Sequence, residues 1–485
     1  MKKNSIIKAI LFTFLAYVVL SWIIPGGTFS SGVFTKGKVT PVGIGDIFIY
    51  PISTSITSIF VLTGLIILLI GGLYGVMNQT GVYQKLVGSV AKKFEGKEKV
   101  FLIISILVFA ILASLTTLTL PLIVMVPFFV AVILLLGYSR MTALLSTIGA
   151  ILVGNMGTVF GYNTGGYNYI NYFFGLKSTE NIVAKIALFI VLVLILTIFV
   201  IKTSKLEKVE KKKAKKSTKK KEEVEEKEIS IPLYKKVEES KKSTLPLIII
   251  LGLTLVIAFV AMFNWSGAIG SEKTIFDTWY TNITSVKLNG YPLFANLIGS
   301  INPFGHWSNY EFAMLLMIAI IVIGFVYNLK VKETYDALVE GMKEMLGVAV
   351  VAILANILLL VVNSASATFA TYIFNIFFKM AKSFNFAVMA IISAIGSIAY
   401  SDFPYLMNVL YDPVTSLYAK NIPEAVYVMQ VIYGFMMMIV PTSVGLVIGL
   451  KYLGISYKEW FKENWKLLLS LLVAALILIV IVVLV

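Results

Sequence analysis

Four short polar segments interrupt stretches that are otherwise apolar enough to cross a membrane. They read SLTTLTLP at 114–121, GNMGTVFGYNTGGYN at 154–168, NSASATFAT at 363–371 and YSDFPYLMN at 400–408. Their hydroxyl, amide and carboxylate groups can orient a small solute or coordinate a cation. Non-helical backbone is tolerated at membrane depth only where protein or water satisfies it. The four segments therefore predict one hydrated site near the membrane midplane.

The candidate binding residues are the polar side chains of these segments. They are Ser114, Thr116, Thr117, Thr119, Asn155, Thr158, Asn163, Thr164, Asn363, Ser364, Ser366, Thr368, Ser401, Asp402 and Asn408. Broken-helix ends beside them would offer amide donors to anions and carbonyl oxygens to cations. Any one hydroxyl is more simply explained by packing, because Ser and Thr in membrane helices often bond to their own turn or to a neighbouring helix. The occurrence of such segments in both halves of the chain favours a substrate and ion site.

Asp402 is the only acidic residue that we place inside these interruptions, and it precedes Pro404, which removes a backbone donor. A charged Asp near the centre of a membrane helix costs about 2.5 to 3.5 kcal/mol on insertion scales, so a partner or water should compensate it. One interpretation is a carboxylate that caps the second half of a broken helix. The other is a ligand for a coupling cation or a substrate amine, or a proton carrier.

The elements that must position these residues are membrane helices. Of the 485 residues, 58% are hydrophobic and 14% charged, and the mean hydropathy is +0.91, far above the balance of soluble proteins. Apolar runs occur at 6–24, 56–77, 100–137, 142–160, 183–201, 245–263, 311–328, 346–363, 386–400, 427–450 and 467–485, with a weaker run at 291–304. Runs of this length cross about 30 Å of hydrocarbon or enter it as hairpins, and they lack the short alternation of a barrel. The sequence predicts an all-α polytopic protein of the cell (inner or plasma) membrane.

The charged segment, the N-terminus and the lack of cysteine argue against several other interpretations of the chain. Lys2, Lys3 and Lys8 precede an apolar run that is long and lacks an Ala-x-Ala-like site, so we expect a retained first helix rather than a cleaved signal. The chain has no cysteine, which excludes disulfides and thiolate chemistry. The net charge of +16 is concentrated at 202–243, with 16 Lys and 9 Glu. We interpret 202–244 as a cytoplasmic linker that only tethers the halves and touches anionic lipid, not as a nucleic-acid site.

The linker separates two halves, 1–201 and 245–485, that share a similar order of segments. AILAS at 110–114 matches AILAN at 352–356, and TIGAI at 147–151 matches AIGSI at 394–398. We expect each half to contain a re-entrant hairpin followed by a broken helix. The expected boundaries are hairpins at about 103–137 and 350–381, and broken helices at about 142–175 and 386–425.

Several motifs in the same order make the chain resemble a known transporter family. They are WIIPGGTF after the first helix, GGLYGVMNQTG, KKFEGKEKV, and VPTSVGLVIGLKYLGISYKEWFK near the end. With them the chain resembles YfcC-type members of the four-carbon dicarboxylate anaerobic carrier (DcuC-like) family, within the ion transporter superfamily. The resemblance implies two inverted repeats, an elevator-type division into scaffold and mobile transport domain, and often a homodimer. It also implies transport of small organic ions, including dicarboxylates and amino acids such as arginine or ornithine.

The function expected from these features is secondary active transport or exchange of a small charged organic solute by alternating access. The coupling ion would be Na⁺ or H⁺, bound at the same polar interruptions, with no cofactor and no other metal. A channel is one alternative, and it would need an open polar path. An integral-membrane enzyme is another, although the single histidine, His306, lies in the segment NPFGHWSNYE, which is typical of an interfacial loop.

Overall fold

The computed structural model describes most of the chain. The described residues are 5–49, 54–160, 163–164, 167–204, 206, 230–235, 237, 240–269, 273–363, 368–381 and 383–484. Ser364 and Ser366, two of the candidate binding residues, lie outside them. So do the side chains of Asn163, Thr164 and Asn363.

The first half is built almost entirely from helices. In chain order they are α1 (Ser5–Ile23), α2 (Ile44–Ile49), α3 (Thr54–Gln79), α4 (Val82–Lys93), α5 (Glu98–Thr116), α6 (Thr119–Ile123), α7 (Val126–Leu135), α8 (Arg140–Leu144), α9 (Ala150–Met156), α10 (Tyr169–Phe174) and α11 (Ile182–Thr203). A π-helical turn, Leu145–Gly149, joins α8 to α9. Two small antiparallel hairpins complete this half: β1 (Gly27–Ser30) with β2 (Val33–Lys36), and β3 (Asn163–Thr164) with β4 (Tyr167–Asn168).

The second half continues the helical pattern. Its helices are α12 (Leu245–Met262), α13 (Trp265–Ile269), α14 (Ile275–Ser285), α15 (Leu293–Ile298), α16 (Asn309–Val326), α17 (Val331–Asn363), α18 (Phe369–Lys379), α19 (Phe386–Ala399), α20 (Phe403–Leu417), α21 (Ile422–Met436), α22 (Val444–Leu453) and α23 (Tyr457–Leu484). In the described part of the chain, seven helices are long and apolar enough to cross a membrane, and five shorter apolar segments accompany them. The protein is a multi-pass helical membrane protein, as the composition predicts.

The weaker apolar run at 291–304 does not form an additional membrane crossing. It contains only α15, which has six residues and is therefore about 9 Å long. It belongs to a segment between α12 and α16 that also holds α13 and α14. There the capping box of Thr274 and Asp277 begins α14, and rings such as Trp265, Phe276 and Phe304 pack together.

In the first half, α5 and α7 form a helical hairpin. The ring of Phe129 in α7 lies 5.6 Å from that of Phe101 and 5.0 Å from that of Phe109, both in α5. These contacts require the chain to fold back between the two helices. The reversal lies after α5, where Thr117 adopts a left-handed backbone with φ 54°.

In the second half, the chain folds back within the segment expected from sequence to be a broken helix. Residues 350–363 of the expected hairpin are the end of α17, a single helix of 33 residues. The following helix, α18, packs against β1 through Phe29 and Phe378, whose ring centroids are 5.8 Å apart. The chain folds back between α19 and α20, since the Leu406 side chain packs against Gly396, where an added Cβ would meet it at 2.5 Å. This fold-back lies in the segment expected to be one broken helix.

The apolar run 427–450, expected from sequence to be continuous, is broken. Helix α21 ends at Met436 and α22 begins at Val444, and Pro441 between them has no backbone donor. The indole of Trp460 donates to the Met438 carbonyl at 3.0 Å, and the Tyr457 hydroxyl donates to that of Ile439. Helix α23 thus satisfies backbone groups that the break leaves without helical partners.

Helices α3 and α17 cross at unusually close range. A Cβ added at Gly341 would lie 2.0 Å from the Gly71 carbonyl oxygen, and one added at Gly75 would lie 2.1 Å from that of Ala337. Only glycine allows this approach of the two backbones. Small residues at such crossings permit the close van der Waals packing that holds membrane helices together.

The C-terminal end of the linker does more than tether the halves. Asn78 at the end of α3 donates to the Leu233 carbonyl at 3.0 Å and accepts from the Lys235 amide at 3.0 Å. The Lys235 ammonium also pairs with Glu340 of α17 at 2.5 Å. In α22, the Tyr452 hydroxyl donates to the Pro232 carbonyl at 3.0 Å. Residues 230–235 therefore lie against α3, α17 and α22.

Candidate functional site

The tip of the first hairpin is hydrogen-bonded to the end of α9. Ser114 in α5 donates through its hydroxyl to the Gly157 carbonyl at 2.7 Å. Its own carbonyl accepts from the Thr158 hydroxyl and from the Val159 amide, both at 3.0 Å. Ser114 and Thr158 are both buried. These bonds replace the helical partners that α9 loses after Met156, and they bring two of the polar segments into direct contact.

The three threonines of the tip have different surroundings. The Thr116 hydroxyl donates to the Leu112 carbonyl at 2.6 Å. The Thr117 hydroxyl donates to the Thr116 carbonyl at 2.7 Å. Both are local bonds of the kind that packing alone explains. Thr119 at the start of α6 is different, because its hydroxyl accepts from the Asn155 side-chain amide at 3.0 Å.

A second tip lies between α19 and α20. The carbonyl of Ser401 accepts from the hydroxyl of Tyr433 in α21 at 2.8 Å. The hydroxyl of Thr442, in the break between α21 and α22, donates to the Ile398 carbonyl at 3.4 Å. Tyr400 contacts Thr368 through their hydroxyls at 3.3 Å. Hydrogen bonds therefore connect the second tip to α21, to the α21–α22 break and to the start of α18.

The two tips approach the α21–α22 region from different sides. A Cβ added at Gly445, at the start of α22, would lie 3.6 Å from the methyl of Thr119 and 3.3 Å from Leu152 in α9. Gln430 of α21 donates to the Thr158 carbonyl at 3.0 Å. The α21–α22 region thus contacts the first tip, the end of α9 and the second tip, so described residues from all four predicted segments belong to one connected region.

Two of the candidate binding residues in this region carry a buried polar atom that has no hydrogen-bond partner among the described residues. These atoms are the side-chain oxygen of Asn155 and the hydroxyl of Ser401. Buried polar atoms are normally paired, and leaving one unpaired costs about 1 to 3 kcal/mol. One atom comes from each half of the chain, and each belongs to a side chain that the sequence singled out.

Asp402 and Asn408 are accessible to solvent. Asp402 occupies the N-cap position of α20. The carboxylate interacts with the backbone amide of Tyr405, but within the described structure it does not reach the geometry of a side-chain capping hydrogen bond. An acidic side chain therefore lies at an accessible position on the second tip.

The chemistry available in this region is coordination by oxygen and nitrogen atoms. In the described residues, no group of three or more His, Cys, Asp or Glu side chains is positioned to hold a metal ion. Hydroxyls, amides, carbonyls and one carboxylate can bind a small polar solute and a monovalent cation without any covalent step.

Comparison with known proteins identifies the family. A family model for C4-dicarboxylate anaerobic carriers (DcuC) matches residues 4–484. The chain belongs to the DcuC family. Among solved structures, this DcuC-family protein is similar to the YdaH transporter of Alcanivorax borkumensis, at 14% sequence identity over 99% of this chain and 98% of that chain, with a TM-score of 0.37. None of the curated proteins matches it significantly.

Sequence reasoning missed several residues of this region in the DcuC-family protein. Thr442 contacts the second tip, Gln430 contacts the segment after α9, and Ser146 in the π-helical turn has a buried hydroxyl without a partner in the described structure. Pro441 inside an apolar run was a readable signal for the break near Thr442. The π-helical turn, a feature frequent at functional sites, had no recognisable signal in the sequence.

Proposed function

We propose that the protein is a secondary active carrier, located in the cell (inner or plasma) membrane, that moves small carboxylate solutes by alternating access. The observation that carries this proposal is the pair of unpartnered buried atoms, on Asn155 and Ser401, within a region of broken helices. Irregular backbone with free polar groups inside a membrane is typical of a solute site. Membership of a carrier family supports the same function.

The proposed substrates are C4-dicarboxylates or amino acids. The family description favours dicarboxylates, and the hydroxyl and amide groups of the two tips can bind carboxylate oxygens as hydrogen-bond donors. The proposed ligands are the polar side chains predicted from sequence, together with Thr442. For coupling we propose Na⁺ or H⁺, with Asp402 as the acidic group involved, and no cofactor.

We further propose that the two halves are inverted repeats with a pairing different from the one suggested by AILAS and AILAN. In this pairing α5 and α6–α7 correspond to α19 and α20. Both pairs fold back at a polar tip, and Pro121 and Pro404 lie in the first turn of the helix that follows. The interruption after α9 then corresponds to the one between α21 and α22. An elevator motion of the hairpin regions against α3 and α17, in a homodimer, fits this arrangement.

Counterflow in proteoliposomes tests the carrier proposal. Vesicles loaded with unlabelled succinate or L-aspartate should accelerate entry of the labelled solute, because a carrier returns loaded faster than empty. A channel would show no such acceleration. Chemical conversion of the solute inside the vesicles would instead indicate an enzyme. Absence of transport for dicarboxylates and amino acids alike would refute the proposed substrate class.

The role of Asp402 is tested by Asp402→Asn, which keeps the shape and the capping ability but removes the charge. We expect gradient-driven accumulation to collapse, whereas exchange of internal for external substrate survives if the proton is the coupling ion. Asp402→Glu, which keeps the charge, is the matched control and should retain ion dependence. Accumulation by Asp402→Asn at the wild-type rate, with the same ion dependence, would contradict the assignment.

A further inference from the structure

A segment of three short helices lies at one end of the α12–α16 helix pair. The pair is antiparallel, because the hydroxyl of Tyr327, just after α16, accepts from the Leu247 amide at 3.0 Å and donates to the Ser243 carbonyl at 2.9 Å. At the other end of the pair, the Trp307 amide donates to the Ala261 carbonyl at 3.0 Å. Helices α13, α14 and α15 connect α12 to α16 at that end. The segment therefore lies on the side of the membrane opposite the Lys-rich linker.

Helix α14 has one apolar and one polar face. Side chains four residues apart share a face of a helix, and Ile275, Trp279 and Ile283 form such an apolar stripe. Their exposed fractions are 58%, 55% and 46%. The opposite face carries hydroxyl residues such as Thr281 and Ser285, which are exposed too. The helix has 11 residues and is about 16.5 Å long, so it cannot cross about 30 Å of hydrocarbon.

Exposed apolar side chains continue from α14 into α15. They have exposed fractions between 41% and 70% and are Val286, Leu288, Tyr291, Phe294 and Leu297. Between residues 274 and 298 the only charged side chains are Asp277 and Lys287, and the Asp277 carboxylate contacts the His306 ring nitrogen at 2.9 Å. A surface this apolar is rarely left facing water in a folded protein.

Aromatic packing fixes the level of α14 along the membrane helices. Phe276 of α14 packs against Trp265, with ring centroids 6.1 Å apart. The Trp265 indole donates to the Val260 carbonyl, in the last turn of α12, at 2.8 Å. One turn earlier on α12, the Val256 side chain is 58% exposed, as expected of a side chain that faces lipid. Helix α14 therefore lies at the level where the lipid-facing surface of α12 ends.

We propose that α14 and α15 bind the phospholipid interface of the surrounding bilayer, with Ile275, Trp279 and Ile283 turned toward the acyl chains. Amphipathic helices with such a face lie in the plane of the membrane, at the boundary between head groups and acyl chains. Tryptophan is enriched at this depth, and three of the six tryptophans lie between 265 and 307. Lys287, exposed just after α14, can extend to head-group phosphates. The segment thus anchors the α12–α16 pair at one depth, whatever solute the protein carries.

Single spin labels test this placement, because the natural chain has no cysteine. Ile283→Cys and Leu297→Cys are labelled and reconstituted into vesicles of phosphatidylcholine and phosphatidylglycerol. Power saturation then compares accessibility to oxygen, which concentrates in lipid, with accessibility to a water-soluble nickel complex. Both labels should be more accessible to oxygen, at about 5 to 10 Å below the head-group boundary. The matched control is Thr281→Cys on the polar face of α14, which should be more accessible to the nickel complex.

Ile321→Cys gives the reference for a lipid-facing side chain, since Ile321 of α16 is 65% exposed. Unchanged melting temperatures show that each labelled variant is folded. Dominant access of the nickel complex at residues 283 and 297, as at 281, would overturn the proposal and place α14 in water. Low accessibility to both reagents at 283 and 297, with spin–spin broadening, would overturn it as well, because the apolar face would then be covered by a second copy of the chain.

Discussion

Replacing Gly341 by Ala should separate α3 from α17 and destabilise the protein. The added methyl would lie 2.0 Å from the Gly71 carbonyl oxygen, 2.7 Å from its carbon and 2.9 Å from the Gly75 Cα. All three atoms are backbone, so no side-chain rotation can relieve the clash. To reach an ordinary contact of 3.4 Å, the two helices must move apart locally by about 1.4 Å.

The magnitude follows from the packing that is lost. A radial gap of 0.5 to 1 Å already forfeits about a quarter to a half of each dispersion contact. Overpacked sites usually cost about 1 to 3 kcal/mol, and more where the obstacle cannot move. Since both obstacles are helix backbone, we expect a loss at the upper end of this range. Because hydrophobic exclusion does not drive membrane helices together, packing is the main contribution that remains to be lost.

The assay compares apparent melting temperatures of purified protein in one detergent, at one heating rate, because unfolding of such proteins is usually irreversible. Gly252→Ala is the matched control. Gly252 lies inside α12, and an added Cβ would meet nothing within 4 Å. That variant should melt at the wild-type temperature or slightly higher, because Ala is the better helix former. Equal melting temperatures for both variants would refute the close crossing of α3 and α17.

Three further outcomes are expected. Asp412→Asn should speed amide hydrogen exchange at the β1–β2 turn, because the Asp412 carboxylate accepts from the amide of Ser31 at 2.9 Å. Charge-assisted hydrogen bonds of this kind contribute about 1.5 to 3 kcal/mol when well formed. Exchange at the wild-type rate in the variant would contradict this prediction. Asn78→Ala should expose the linker end to limited proteolysis near residues 230–235 while uptake by the membrane domain persists, and an unchanged cleavage pattern would argue against docking. Acidification should loosen α14: burial raises the pKa of Asp277, but hydrogen bonds from Thr274 and the pairing with His306 outweigh this effect, so its pKa lies below the usual value. This stabilisation is complete above the unfolded pKa of about 3.9 and is lost as pH falls through the lowered folded pKa. Tryptophan fluorescence near α14 should therefore change below about pH 4 in the wild type but not in Asp277→Asn.

The amino-acid sequence by itself determined the class of this protein and the positions of its polar interruptions. Hydrophobic length is a local property, so the long apolar runs were enough to predict a helical membrane protein. The end of α5 was also readable, because SLTTLTLP combines hydroxyl residues with a proline. Membership of the carrier family followed from the order of motifs along the chain and is confirmed by the family match over residues 4–484.

Only the tertiary structure decided which helices fold back on each other and which interruptions meet. The polar residues after 399 were expected to interrupt one helix, yet the chain folds back there and Leu406 packs on Gly396. The break near Pro441 depends on Trp460 and Tyr457, which lie in another helix. The unpaired atoms of Asn155 and Ser401 are likewise defined by what surrounds them. The local sequence determines which polar groups a segment offers, but the hydrogen-bond partners of those groups come from residues far away in the chain. Only the folded arrangement therefore decides which groups are satisfied and which remain open for a ligand.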